Sequence, residues 1–421
     1  MDKLAILGGP KTIDPSRASF PWPVITPEVE KAVLNQLRTC VSIYDRSGIF
    51  AEFEKKYADY YGLNHSLLSS SGTTAIFSMF EGINLQPGDE VICPTYTFFA
   101  SASPLMYLGA IPVFCDCNPD GNINPEEIAK KITDRSKAVV ITHMWGMPCE
   151  MDPIIDICRK KGLLLLEDAS HAHGATYKGK KAGTFGDASA WSLQGQKIIT
   201  GGEGGIMLTN NPEIFYRALL QGHYNKRCQQ QIPADHPLCE FALTGFGLKL
   251  RAHPLAIAIA NEQFSHLDQW IGQKQEYVSY WEKEFGKYEF LKMPDYPNRQ
   301  PSWYAFVMQF DKSRSNGVSI AQFVRALHAE GLVEVDRPGS TRPIHDLPLF
   351  IKPNLALPKL YSNPLTHPGP FANALLFYEN AIKLPVWTFP EDEPIVRKYA
   401  EGFHKVCRAV QNEPELLRGL Q

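Results

Sequence analysis

Two residues raise the chemical question first. Asp168 closes the run Leu163-Leu164-Leu165-Leu166-Glu167-Asp168, and Lys197 follows Trp191-Ser192-Leu193-Gln194-Gly195-Gln196. An acidic residue ending a buried parallel strand lies at the carboxyl edge of a sheet, where such folds place ligands. Read alone, it is equally a helix cap or a loop salt bridge. A lysine just past a buried strand, beside the turn Gly201-Gly202-Glu203-Gly204-Gly205, is one that a fold can hold in its interior. Burial lowers an amine's pKa and frees its lone pair to attack a carbonyl; a lone lysine here is otherwise a surface residue near a hairpin. The pair supplies part of what pyridoxal-phosphate chemistry requires: a lysine for the Schiff base, a carboxylate on the pyridinium nitrogen, a phosphate cradle and a flat face on the ring. Ser71-Gly72-Thr73 offers the cradle, because free N–H groups and the dipole at a helix start favour an anion. Ser192 adds a hydroxyl, and Phe98 in Pro94-Thr95-Tyr96-Thr97-Phe98-Phe99 an aromatic face. Each has a plainer reading, as a cap or a core ring, but the combination in this order leaves those readings little room.

These groups need elements to position them. Leu67-Leu68-Ser69, the small-residue turn and the apolar pattern Ala75 to Ile83 read as strand, turn and helix. Short apolar runs follow at Glu90 to Pro94, Ile111 to Cys115, Ala138 to His143, Leu163 to Glu167 and Ala188 to Leu193. Helical patterns such as Pro125 to Ile132 and Met151 to Lys161 separate them, which predicts an α/β fold with a mostly parallel sheet covered on both faces. A long helix over about Leu255 to Phe285 leads on to a strand at Trp303 to Phe310 and a helix at Ile320 to Glu330. A Pro-rich loop from Arg337 to Pro370 and a last helix ending near Val410 follow. The expected division is a large domain over 1–265 and a smaller α+β domain over 266–421.

Composition bounds the function. With 421 residues and 44% hydrophobic content, the chain can bury a large core. A net charge of -3 and scattered Lys and Arg point away from nucleic acid and acidic membranes, toward a small-molecule client. No apolar run is long enough for a membrane span, and Met1 to Leu7 lacks a signal-peptide core. Nine dispersed cysteines fit a reduced, cytoplasmic setting.

The motifs together resemble the sugar and cyclitol aminotransferases of the DegT/StrS type, in pyridoxal-phosphate fold type I. The resemblance covers nearly the whole chain. It rests on Ser71-Gly72-Thr73, Pro94 to Phe98, His143-Met144-Trp145-Gly146, Glu167 to Gly174 and Phe185-Gly186-Asp187, and above all on the Ser192 to Lys197 spacing followed by Gly202-Glu203-Gly204-Gly205. It implies that Lys197 is the Schiff-base lysine and general acid/base, and that Asp168 binds the pyridine nitrogen. Gly72, Thr73 and Ser192 then bind phosphate, and Phe98 stacks on the ring. Three departures matter. His171 stands where the family usually has Gln near the cofactor's 3-hydroxyl. Lys249, in Lys249-Leu250-Arg251, replaces the Asn of an Asn-x-Arg segment lent by the partner subunit. Relatives that dehydrate sugars carry His in place of the lysine, whereas Lys197 is kept here, which argues for transamination. The implied reaction is ping-pong, with glutamate or glutamine as donor, a keto-sugar or keto-cyclitol as acceptor, and a homodimer with sites at its interface. Tyr44 and Arg46, in Ile43 to Gly48, fall where relatives line the acceptor site; the alternative is a loop packed on the domain.

Two rivals from other classes stand beside this reading. A metal-dependent hydrolase would use Asp168, His171 and His173 with His143 and Glu203, but leaves Lys197 and the glycine turn without a role. The spacing of Cys115 and Cys117 fits core thiols better than zinc. A catalytically silent regulator on the same fold is the second. The closest competitor keeps the cofactor and changes the reaction: a dehydratase, a lyase, or an aromatising enzyme of the aminohydroxybenzoate-synthase kind.

Overall fold

The computed structural model describes residues 3–14 and 20–419, so Met1 and Asp2 of the N-terminal reading lie outside it. Its centre is a seven-stranded sheet in the order His65–Ser69, Gly205–Thr209, Ala188–Ser192, Leu164–Asp168, Ser136–Thr142, Glu90–Pro94, Ile111–Cys115. Only Gly205–Thr209 runs against its neighbours; the remaining pairings are parallel. Alternation explains how both faces are covered. Leu67, Val140 and Met207 join one core with the helices Gly72–Gly82 and Pro212–Gly222, while Leu68, Trp191 and Ile206 pack with Phe53 and Tyr57 of the helix Gly48–Tyr61. The expected strands are found within a residue or two, because each is apolar on both faces.

Three expectations are corrected. The turn at Gly201–Gly205 leads straight into a strand, Gly205–Thr209, that the glycine cluster masked. The long helix is two, Pro254–Phe264 and Leu267–Phe285, broken at Ser265 and His266. The 337–370 stretch is more than loop: Thr341–Pro343 pairs antiparallel with Tyr96–Phe98, and Ile344, Phe350 and Tyr361 join the core of the main sheet. A second core holds Trp281, Phe306, Phe323 and Phe403 around a sheet of Leu291–Lys292, Phe306–Phe310 and Ala381–Leu384, with Leu4 and Ile13 from the N-terminal segment packed in. The strand expected from Trp303 starts at Phe306, since Trp303 has φ +53°. No helix among the described residues is long and apolar enough to cross a membrane.

Candidate active site

Sheet topology gathers the chemistry. Ser69, Thr142, Asp168 and Ser192 end strands running the same way, and Gly205 starts the reversed strand between Ser69 and Ser192. A cavity of about 380 Å³ opens at this carboxyl edge, lined by Ser71, Gly72, Thr73, Phe98, Asp168, His171, Ser192, Lys197 and Tyr304 among others. Asp168 is buried and both its oxygens are engaged. The Ser101 hydroxyl donates to Oδ2 at 2.6 Å and the Ser170 N–H to Oδ1 at 3.1 Å. Behind Ser101 the relay continues, with Thr142 Oγ1 donating to Ser101 at 3.0 Å and Thr97 donating to Thr142 at 3.2 Å. The carboxylate is thereby fixed in orientation.

Lys197 is buried too, and loss of solvation brings its amine down to about 8, with Asp168 pulling the other way. Near neutral pH an appreciable fraction is therefore free amine, as nucleophilic attack on a carbonyl requires. Trp22 Nε1 donates to its backbone carbonyl at 3.0 Å. Burial first, and the Lys197 charge second, hold His171 far below the usual imidazole range, so its ring is neutral. His173 is likewise neutral, lowered to about 3 by burial. Its Nε2 faces the Ser192 carbonyl at 2.9 Å and must donate there, which leaves Nδ1 to accept from Tyr57 at 3.0 Å.

The cradle is built from close approach. Ser71 caps the helix Gly72–Gly82 by accepting from the Thr74 N–H at 3.1 Å. A Cβ at Gly72 would stand 2.5 Å from that of Ser192, and one at Gly205 would lie 2.2 Å from the Ser71 carbonyl oxygen. Glycines at both positions let the helix start press onto the strand ends, where its N–H groups and the Ser192 hydroxyl are of the kind that can hold an anion. An aldehyde-bearing pyridine phosphate fits this set. An anion cradle, a carboxylate, a free amine and a buried His171 Nδ1 without a protein partner converge on one cavity.

Not every candidate converges. Arg46 is tied to the buried Glu54 at 3.1 Å, which also pairs with Arg227 at 2.6 Å. Tyr44 lies exposed under the Lys226 ammonium, and Lys249 is exposed; none of the three lines this chain's cavity. The metal-ligand set is not assembled either. His173 spends both nitrogens as described, and His143 accepts from the Cys149 N–H while facing Glu167 at 2.9 Å. Glu167 also holds the N–H groups of Gly183, Phe185 and Gly186. Cys115 and Cys117 are buried, and burial raises both thiols.

Sequence reasoning missed Ser101, Thr142, Tyr304 and Thr341. Ser101 falls just beyond the Pro94 to Phe99 motif, and Thr142 lies in a run whose apolar residues mark it only as a strand. Thr341 arrives on the strand that pairs with Phe98, and Tyr304 on a segment without a motif.

Comparison with known proteins agrees with this geometry. A model of the DegT/DnrJ/EryC1/StrS aminotransferase family matches residues 30–396. Over 241 residues the chain is 36% identical to a GDP-perosamine synthase of Caulobacter vibrioides, covering 56% of this chain and 62% of that one. Over 359 residues it is 31% identical to a putative L-glutamine:3-amino-2,3-dideoxy-scyllo-inosose aminotransferase of Micromonospora echinospora, covering 83% and 82%. An aminotransferase structure from Psychrobacter cryohalolentis has the same fold, with a TM-score of 0.82 at 24% identity over 93% of this chain and 100% of that one. The chain therefore belongs to the DegT/DnrJ/EryC1/StrS aminotransferase family, whose members are pyridoxal-phosphate enzymes of fold type I.

Proposed function

We propose that the chain moves an amino group from glutamine or glutamate onto a keto-sugar or keto-cyclitol. The observation that carries this is the convergence of the buried, partly neutral Lys197 amine and the fixed Asp168 carboxylate on one cavity. Relatives named for a sugar-nucleotide product and for a glutamine-dependent cyclitol reaction support the substrate classes. Bound here, pyridoxal phosphate supplies an aldehyde for capturing amines and a ring that withdraws electrons from the carbon bearing the transferred nitrogen. Lys197 Nζ would hold it covalently and, as the free amine, would carry the proton to and from that carbon. Asp168 would hold the ring nitrogen, and the Ser101–Thr142–Thr97 relay keeps its carboxylate from rotating away. Gly72, Thr73 and Ser192 would bind the phosphate, Phe98 would cover the ring, and neutral His171 would serve the 3-hydroxyl without adding charge.

A homodimer belongs to the same proposal. Leu37, Val41 and Tyr44 are exposed on one segment, and Phe241, Leu243 and Leu248 on another. Arg251 joins the two by donating to the Ile43 carbonyl at 3.2 Å. An apolar surface of this kind favours covering, and Lys249, exposed beside Leu248, would serve a partner's phosphate site. Tyr44 and Arg46 then line the acceptor side, Arg46 with its charge already shared with Glu54. The division of the chain near residue 265 and a cytoplasmic setting are part of the reading, the latter supported by nine free cysteines.

The test is spectroscopic. Protein loaded with pyridoxal phosphate should show a near-visible band that glutamine or glutamate bleaches and a suitable ketone restores, while Lys197→Ala shows no such cycle. Absence of any band in the wild type sinks the proposal. A band that no donor bleaches moves the assignment to the dehydrating or aromatising reaction.

A further inference from the structure

Lys197 must alternate between covalent attachment and freedom, so the freed amine needs a defined place in a cavity that solvates charge poorly. The free side chain has one. Its Nζ stands 4.4 Å from the centroid of the Tyr304 ring. That ring stacks parallel on His171, at 3.9 Å between centroids and an interplanar angle of 5°. Trp145 packs beside both rings, 6.1 Å from Tyr304 and 5.8 Å from His171. Tyr304 also donates from its hydroxyl to Gln196 Oε1 at 3.3 Å, on the residue before Lys197.

The backbone beneath Tyr304 is held in place from several sides. Trp303 adopts φ +53°, a region that bulky residues avoid. Its carbonyl accepts from the buried Lys274 Nζ at 3.3 Å, and the same amine donates to Val386 at 2.7 Å. Ser302 donates from Oγ to the His171 carbonyl at 3.1 Å and from its N–H to Gly146 at 3.0 Å. Such a conformation persists only where the surroundings over-determine it, and here it presents one ring to the lysine.

We propose that Tyr304 is a positioning residue whose π-face receives the released Lys197 amine and keeps it within reach of the reacting carbon. The inference rests on Lys197 being the attachment lysine. The quadrupole of an aromatic ring favours the ammonium over the neutral amine, so the ring tunes both the place and the protonation of Nζ.

The experiment follows pyridoxal-phosphate capture by cofactor-free protein as a function of pH, read by absorbance and by the mass of the Lys197 peptide after borohydride reduction. Capture joins amine nitrogen to aldehyde carbon with loss of water and needs the neutral amine, so its midpoint reports the free lysine. Tyr304→Phe keeps the ring face and should keep the wild-type midpoint. Pentafluorophenylalanine introduced at position 304 keeps the size and burial but removes the negative face, and should lower the midpoint by about half to one pH unit. A fluorinated protein with the wild-type midpoint overturns the proposal, as does a Tyr304→Phe midpoint that falls by the same amount. Failure of wild-type protein to label Lys197 at any pH instead overturns the attachment reading itself.

Discussion

A side chain at position 72 has nowhere to go, since its Cβ would approach the Ser192 Cα at 2.9 Å as well as the Ser192 side chain. Both are structural parts of the cradle, so the helix start or the strand end would have to retreat. The N–H groups proposed to meet a phosphate would be the first to lose their geometry, because an anion site at a helix start depends on their direction. Gly72→Ala should therefore weaken pyridoxal-phosphate binding on the order of tenfold or more, with a stability loss of about 1–3 kcal/mol from overpacking. Equilibrium titration of the cofactor-free variant measures the first and urea unfolding the second. Wild-type affinity in the variant would place the phosphate elsewhere. At this scale Asp168, Lys197 and Gly72, which line the cavity, were legible because they lie in contiguous motifs. Ser101 and Tyr304 were not legible: a serine that fixes a carboxylate, or a tyrosine that faces a lysine, is defined only by what folding brings opposite it.

Among the elements, strand runs were readable wherever both faces are apolar, and boundaries were lost wherever a local signal pointed two ways. Glycines that permit the Ser71 turn to press on Gly205 also look like the end of a strand, which hid Gly205–Thr209. The helix Leu267–Phe285 carries a feature that no pattern announces, the buried Lys274. Burial lowers its amine to about 7 from 10.5, with Asp392 partly opposing. The sign follows from proton counts. Between those values the unfolded chain holds a proton that the folded chain has released, so stability rises with pH across that window. Below about 7 both states are protonated and the cost of burying the charge is borne in full. Lys274→Met should remove this rise, a difference on the order of a few kcal/mol between its ends. Urea midpoints of wild type and variant, taken from pH 7 to 9.5 or so, measure it. Parallel slopes would mean that the amine is not buried in solution. The variant also leaves the Trp303 and Val386 carbonyls without their donor, so its absolute stability is a poorer readout than its slope.

For the whole molecule, the question is where the last positive charge of the phosphate site comes from. Within one chain the proposed cradle has backbone N–H groups and hydroxyls, and Lys197, the cation among the cavity's lining residues, has the aldehyde as its proposed partner. Lys249 is exposed and outside its own cavity, on a segment whose apolar residues Leu243 and Leu248 face solvent alongside it. In the proposed two-fold dimer the same patch would be buried twice and each Lys249 would be carried toward the other chain's site. Purified heterodimers, carrying Lys197→Ala in one chain and Lys249→Ala in the other, test this directly. If Lys249 acts across the interface, the site that keeps Lys197 receives an intact Lys249 from its partner. The heterodimer should then show about half of wild-type activity and one tight cofactor site per dimer. Should Lys249 act within its own chain, that same site carries the defect and the heterodimer does no better than the Lys249→Ala homodimer. A sedimentation measurement comes first, because a chain that stays monomeric at working concentrations would leave both the patch and the lysine without the role assigned to them.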